Sequence, residues 1–342
     1  MNASGKEIAA LGEFGLIKRI TRRAIVRPER VVKGIGDDAA VFHPPQDQPM
    51  LLTTDLLVEQ IHFRREAISG KSLGFKSLAV NLSDIAAMGG APLDAFVSIA
   101  IPADCPLAYI DAVYAGLREL ADQFGVNILG GDTTGSKKDL IINIAVTGTV
   151  DPDHLLFRDG ARPGDLVYVT GFVGDSRAGL QVILEELELS DTALVKLYDR
   201  HCKPLPHIEE GRFLARSTAV TAAIDVSDGL ASDLGHIISQ SGCGAVLDTR
   251  QLPISSELKQ FGERFSVNAA DFALNGGEDY VLLCTVKAEM AAGLEAAFLS
   301  RFGRSLYKIG AITSSGYLEA IGVTGQRRAI SSKGWDHFRK GN

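Results

Sequence analysis

The chain has 342 residues, 46% of them hydrophobic, enough to bury a sizeable core and long enough for two domains. Its formal net charge of −7 and its lack of a basic block argue against a nucleic-acid surface, which needs clustered Lys and Arg, though not against small anionic substrates. No run of about 18 apolar residues occurs, the N-terminal sequence has no apolar segment with a cleavage site, and Cys105, Cys202, Cys243 and Cys284 show no C-x-x-C spacing, so export, membrane insertion, a zinc site and a disulfide framework are not expected and a reducing, cytoplasmic setting is.

In chain order, Ile8, Leu11, Ile17 and Ile20 carry helical periodicity from Lys6 to Ile20. Strands are predicted at Met50–Thr53, Ala95–Ile101, Leu140–Val150, Leu166–Thr170, Ala245–Asp248, Tyr280–Val286 and Leu306–Ile312. Helices are predicted at Lys71–Ala87, Leu107–Phe124, Asp175–Glu186, Ile208–Arg216, Gly229–Ser241 and Lys287–Leu299. The alternation reads as an α+β protein with α/β-type layers. The Pro-, Gly- and charge-rich stretch DPDHLLFRDGARPGD at 151–165 places a boundary between domains at 1–150 and 151–342. Asn81-Leu-Ser-Asp84 and Asp225-Val-Ser-Asp228 share a shape that fits either a faint duplication or chance.

Two nucleotide-site signatures nearly match and fail. Ser69-Gly70-Lys71-Ser72 ends like a P-loop but has Arg65 where the first glycine belongs. Gly34-Ile-Gly36 with Asp55 mimics a dinucleotide fingerprint, but His43-Pro44-Pro45 leaves no room for the helix that would hold a pyrophosphate. Asp37 and Asp38 on that glycine turn make better sense as metal ligands.

The chemistry-bearing signal is a set of aspartates in glycine-rich turns, at strand ends, or inside an apolar helix. They fall in Gly36-Asp37-Asp38, Thr53-Thr54-Asp55, Asn81-Leu-Ser-Asp84, Gly130-Gly131-Asp132-Thr133, Asp225-Val-Ser-Asp228-Gly229 and Gly276-Gly277-Glu278-Asp279. Each alone reads equally as a turn or helix-cap residue. Together they imply several divalent cations, because buried carboxylates without partners are costly and Mg²⁺ bridges carboxylates to polyphosphates. Asp84 tells most, since Leu78, Leu82, Ile85 and Met88 make its helix largely buried. Arg158 is placed to reach a nucleotide phosphate or to sit solvated in the linker. Tyr114 reads either as an adenine-stacking ring or as an ordinary amphipathic tyrosine.

Taken together, GEFGLI at 12–17, GIGDDAAV at 34–41, TTDLLVEQIHF at 53–63, AVNLSDIAAMGGAP at 79–92, GGDTT at 130–134, GARPGDLVYVTG at 160–171, IDVSDGLASDLGHI at 224–237, NGGEDY at 275–280 and GWDHF at 334–338 resemble the thiamine-monophosphate kinase family. That family lies in the aminoimidazole-ribonucleotide-synthetase-like superfamily, and the resemblance runs from Gly12 to Phe338. It implies the two-domain fold of that superfamily and a homodimer joined through the N-terminal sheet. The N-terminal domain would bind ATP and Mg²⁺ and dimerise; the C-terminal domain would complete the active site.

By motif match the resemblance assigns Asp38, Thr53, Thr54, Asp55, Asp84, Asp132, Asp225 and Asp228 to several Mg²⁺, with Asp38, Asp55, Asp84, Asp132 and Asp225 as the catalytic set. It assigns Tyr114, Gly131, Asp132, Arg158 and Ser227 to ATP, and His62, Glu278 and Trp335 to the thiamine end of the acceptor. The need for a monovalent cation stays open. His207 in KPLPHI departs from an arginine common in the family.

The implied reaction is direct phosphoryl transfer from ATP to thiamine monophosphate. The acceptor phosphate loses its second proton near pH 6, which accounts for a sequence rich in carboxylates without an evident His-based nucleophile system. Other readings are a superfamily kinase or synthetase with another acceptor, such as a formylglycinamidine ribonucleotide or selenide, a metal-dependent phosphatase, and an ion or nucleotide sensor. A selenide enzyme should carry an early reactive cysteine, and the first here is Cys105.

Overall fold

The computed structural model describes residues 16–33, 41–44, 47–322 and 324–330. Asp37, Asp38 and Trp335 lie outside the described residues, as does most of the predicted first helix, of which 16–20 are helical with Leu16 and Ile20 buried. The chain divides into two compact units, one made of residues 1–85 and 90–152, the other of 86–89 and 153–342.

The first unit is built on β3 (Met50–Val58), α1 (Gly70–Ala87), β4 (Ala91–Pro102), α2 (Leu107–Phe124), β5 (Asn127–Ser136) and β6 (Ile141–Thr149), preceded by a small pair, β1 (Val31–Lys33) and β2 (Val41–Phe42). Its four-stranded sheet runs β3-β6-β4-β5. Only β4 and β5 are parallel, and α2 is the crossover between them. One sheet face carries Leu57, Val97, Ile99, Ile142, Ile144 and Val146, all buried, as are Leu73, Leu78, Leu82 and Ile85 of α1. A Cβ built on Gly74 would fall 1.8 Å from Val113 O, and one on Gly116 1.8 Å from Lys71 O, so α1 and α2 cross backbone to backbone at these two glycines.

The second unit comprises β7 (Leu166–Val169), α3 (Asp175–Leu184), α4 (Thr192–Cys202), α5 (Ile208–Ala215), β8 (Val220–Asp225), α6 (Leu230–Ser241), β9 (Gly244–Asp248), α7 (Ser256–Phe265), α8 (Ala269–Asn275), β10 (Leu282–Val286), α9 (Ala291–Phe302), β11 (Tyr307–Thr313), β12 (Leu318–Ile321) and β13 (Arg327–Ala329). Its seven-stranded mixed sheet has the order β13-β12-β9-β11-β7-β10-β8, with only β9 and β12 parallel. Helix α6 lays Leu230, Leu234 and Ile237 into a core with Val167, Ile224, Leu283 and Ile309. Each such side chain contributes roughly 1.5–3 kcal/mol by leaving water. A smaller core joins Ala178 and Val182 of α3, Leu194 and Leu197 of α4, and Leu258 and Phe261 of α7.

The predicted strands and helices recur with ends shifted by a few residues, but several elements escape the periodicity. Among them are α4, α7, α8, β8 and β5. The segment Gly130–Thr133, read as a turn, is part of β5: Ala95 pairs with Ile128 and Phe96 with Gly130, so Leu129 is the extra residue of a bulge. Gly131 has φ 149°, and a Cβ there would fall 1.7 Å from Val97 O. Gly131 thus serves close strand approach rather than a reversal of the chain, whereas a Cβ on Gly130 would make only ordinary contact with Phe96. The two look-alike motifs also differ: Asn81–Asp84 is mid-helix, whereas Asp225 ends β8 and Ser227 and Asp228 form a loop, which removes conformational support for a duplication.

Candidate active site

In the first unit the register of β3 sorts its three polar residues. Side chains alternate along a strand, so Thr53 and Asp55 share the face of Leu57, which is buried, while Thr54 shares the face of Leu52 and Leu56, which are exposed. Thr53 Oγ1 donates to Asp84 Oδ2 at 2.5 Å, joining the strand to the last turn of α1. Asp55 is pushed up to about 6, first by burial and then by the negative charge of Asp84. Two carboxylates and a hydroxyl thus converge within one unit, an all-oxygen donor set of the kind a hard divalent cation takes. Thr54 does not join them: its Oγ1 accepts from Asn143 Nδ2 at 2.9 Å on the opposite face, so only its backbone remains for a cation near Asp55.

Asp132 also departs from the expected cluster. It pairs with Ser98, which pairs with Asn143, which pairs with Leu56, so Asp132 belongs to the face opposite Asp55. Its side chain, exposed on β5, is not brought to Asp55 and Asp84 within this unit. Tyr114 is 3% exposed, and burial raises its hydroxyl pKa. The alternative of a core tyrosine on α2 is the one this geometry fits, because a buried ring presents no face to adenine. His62 closes the turn after β3, where Gln60 has φ 67°. Its Nδ1 accepts from Val58 N–H at 3.0 Å, which fixes the proton of a neutral ring on Nε2.

In the second unit the acids come from one short segment. Asp225 ends β8, Gly229 has φ 117°, and α6 starts at Leu230. Asp233, one turn into α6 and 1% exposed, accepts from the backbone N–H groups of Asp228 at 3.2 Å and Gly229 at 3.1 Å. Burial, and next the charges of Asp225 and Asp228, push its carboxyl up to about 8. Ligand atoms of Asp228, Asp233 and His236 lie within 4.8 Å of one another. Asp233 and His236 escaped the sequence reading, although the i, i+3 spacing on α6 was there to be read.

The turn with Glu278 is stitched to this loop: Glu278 N donates to Ser227 O at 2.8 Å and Tyr280 N to Val226 O at 2.9 Å. Arg158 is exposed and follows Phe157, whose carbonyl accepts from Ala223 N on β8 at 2.8 Å, so its backbone is moored beside the strand that ends in Asp225. His207 packs half-buried against Thr170, with Thr170 Oγ1 2.6 Å from its Nδ1, and desolvation of the ring holds its pKa down to about 3. It is a neutral structural group in this fold. Among the described residues no helix is long and apolar enough to cross a membrane.

Comparison with known proteins places the chain in a family. The model of the AIR synthase related protein, N-terminal domain, matches residues 36–150, and that of the C-terminal domain matches residues 162–323. A thiamine-monophosphate kinase of Escherichia coli strain K12 is 39% identical over 334 residues, covering 96% of this chain and 99% of that protein. A crystal structure of thiamine-monophosphate kinase from Stenotrophomonas maltophilia K279a superposes with a TM-score of 0.81 at 34% identity, covering 90% of this chain and 96% of that one. A ThiL structure complexed with AMPPCP and TMP superposes at 0.76 and 31% identity, covering 97% and 98%. With a two-domain fold and likeness over nearly its whole length, the chain belongs to the thiamine-monophosphate kinase family of AIR synthase related proteins.

Proposed function

We propose that this chain phosphorylates thiamine monophosphate with ATP to give thiamine diphosphate and ADP, in one direct in-line step. An acceptor phosphate oxygen attacks the γ-phosphorus of ATP, and the bond to the β,γ-bridging oxygen breaks. The observation that carries the reading is the Thr53–Asp55–Asp84 arrangement, a half-buried pair of carboxylates with Asp55 pushed up to about 6, on a chain similar to a ThiL complexed with AMPPCP and TMP.

The donor sets are all oxygen or imidazole, and like charges gathered by burial are what a cation relieves. Asp55, Asp84 and Thr53 are the ligands we assign in the first unit, and Asp225 and Asp228 in the second, with Asp38 added from the family motif. Mg²⁺ bound to them would neutralise phosphate charge and stabilise the loose transition state. The chain's own residues do the rest. Arg158 and the backbone at Ser227 fit nucleotide phosphates, and Asp132 with Gly131 stays a nucleotide-side assignment carried by motif alone. His62, offering Nε2–H, and Glu278 fit the thiamine end, and Trp335 is assigned to stack on the thiazolium. No general base is required, because the acceptor phosphate is ionised at neutral pH.

The outward sheet face carries Leu52, 73% exposed, and Leu56, 50% exposed, which supports a homodimer formed through this sheet; the cytoplasmic setting is assigned from the family, and the absence of a nucleic-acid partner from the net charge of −7. A coupled assay tests the reaction: ADP should appear in step with thiamine diphosphate, and unphosphorylated thiamine should not react. Free phosphate released without phosphorylated acceptor would replace the kinase with a phosphatase, and thiamine proving the better acceptor would sink the mechanism.

A further inference from the structure

The turn carrying Glu278 is held on more than one side. Besides its backbone bonds to Val226 and Ser227, its neighbour Asp279 accepts from Gly174 N at 2.7 Å and Ser176 N at 3.2 Å, at the start of α3. Glu278 and Tyr280 have φ of 61° and 51°, a region L side chains occupy only when their surroundings enforce it. The constraint directs the Glu278 side chain toward α4. There Nδ1 of His201 lies 3.3 Å from Glu278 Oε2 and 3.0 Å from Ser176 Oγ. A carboxylate oxygen only accepts, so a hydrogen bond between these two groups has Nδ1–H as its donor; with the proton on Nε2 instead, Ser176 Oγ would donate to Nδ1. His201 itself is 4% exposed and cannot reach a ligand, whereas the side chain of Glu278 is 29% exposed and can.

We propose that His201 is a positioning residue for the acceptor. Its Nδ1–H holds the Glu278 carboxylate aimed at the cationic, amine-bearing end of the substrate, so acceptor affinity is set in part by a side chain that touches no ligand. The proposal rests on the reading of Glu278 as an acceptor contact. Hydrogen bonds to charged groups are the strong class, and losing one that orients a binding carboxylate is a loss of about tenfold or more in affinity.

Kinetics of the full-length enzyme with thiamine monophosphate and ATP test it. His201→Leu should raise KM for thiamine monophosphate about tenfold or more, with KM for ATP and kcat within about twofold, and His201→Asn, which keeps an N–H donor near Nδ1, should recover most of the loss. Glu278→Gln should raise the same KM, and the double variant should be no worse than the worse single one. Should Glu278→Gln leave that KM unaltered, the acceptor reading and this proposal are both overturned. Should Glu278→Gln raise it while His201→Leu does not, or should the two effects add, only the positioning role is overturned. Should His201→Leu fail to fold, the ¹⁵N spectrum of histidine-labelled wild type decides: a protonated Nδ1 on His201 that changes in Glu278→Gln supports the proposal, and an Nε2–H tautomer indifferent to Glu278→Gln overturns it.

Discussion

The two units gather carboxylates by opposite routes. In the first, Asp84 comes from the last turn of a helix and Asp55 from a sheet edge, and a threonine hydroxyl links helix to strand. In the second, Asp225, Asp228 and Asp233 come from nine consecutive residues spanning a strand end, a loop and a helix start, and backbone N–H groups serve the buried acid. The first arrangement depends on tertiary packing across 31 residues of sequence. The second is a local motif that any chain folding this strand, loop and helix would reproduce. A site of one chemical character thus rests on two kinds of support, with different sensitivity to mutation and pH.

The largest effect should come from removing charge in either cluster. Asp55→Asn, Asp84→Asn and Asp228→Asn are each expected to lower kcat by about a hundredfold or more without loss of fold, since each withdraws charge that stabilises the transition state. Steady-state rates with circular dichroism as the folding control check this, and near-wild-type turnover in two of the three would refute the shared role of the clusters. The support itself should then separate Thr53 from Thr54. Thr53→Val is expected to cost about tenfold in turnover and to raise the Mg²⁺ concentration needed, because it removes a hydrogen bond to a charged group. Thr54→Val should change neither, since its side chain lies on the opposite sheet face. Mg²⁺ titrations of both variants decide the matter.

The smallest effect should appear in stability. Asp233 titrates near 8 in the folded chain against an ordinary 3.8, so folding takes up a proton there. That contribution is complete below about pH 4 and is lost as pH rises through about 8. His207, held down to about 3, has the opposite sign: its contribution is present above its ordinary 6.5 and is lost as pH falls below it, so it is constant above neutrality. In chelator, Tm should therefore fall between about pH 7 and pH 9. The fall should shrink in Asp233→Asn and when Mg²⁺ is restored. A flat wild-type profile in chelator would show that the second cluster carries no such strain.

How far the site could be read from sequence follows the same division. Asp225, Ser227 and Asp228 were legible because the residues that build their loop are neighbours in the chain, and Asp84 was legible because an acid amid Leu78, Leu82 and Ile85 stands out against a helical period. Asp233, within the same motif, shows in the sequence only as a spacing with His236; its burial and the carboxylates that face it come from the fold. Gly130 and Gly131 misled: a glycine pair reads as a turn, yet both lie in β5, and Gly131 lets that strand approach β4 beside a bulge.

The sequence by itself determined the alternation of strands and helices, the inventory of aspartates and the family, because those depend on local periodicity and on motif order. The tertiary structure alone decided which of them meet. It set Thr53 and Asp55 on one sheet face and Thr54 and Asp132 on the other, buried Tyr114, and brought His201 of α4 against Glu278 across 77 residues of chain. Strand register and helix packing make those choices, and both are fixed by pairings between residues distant in sequence, which no local pattern encodes.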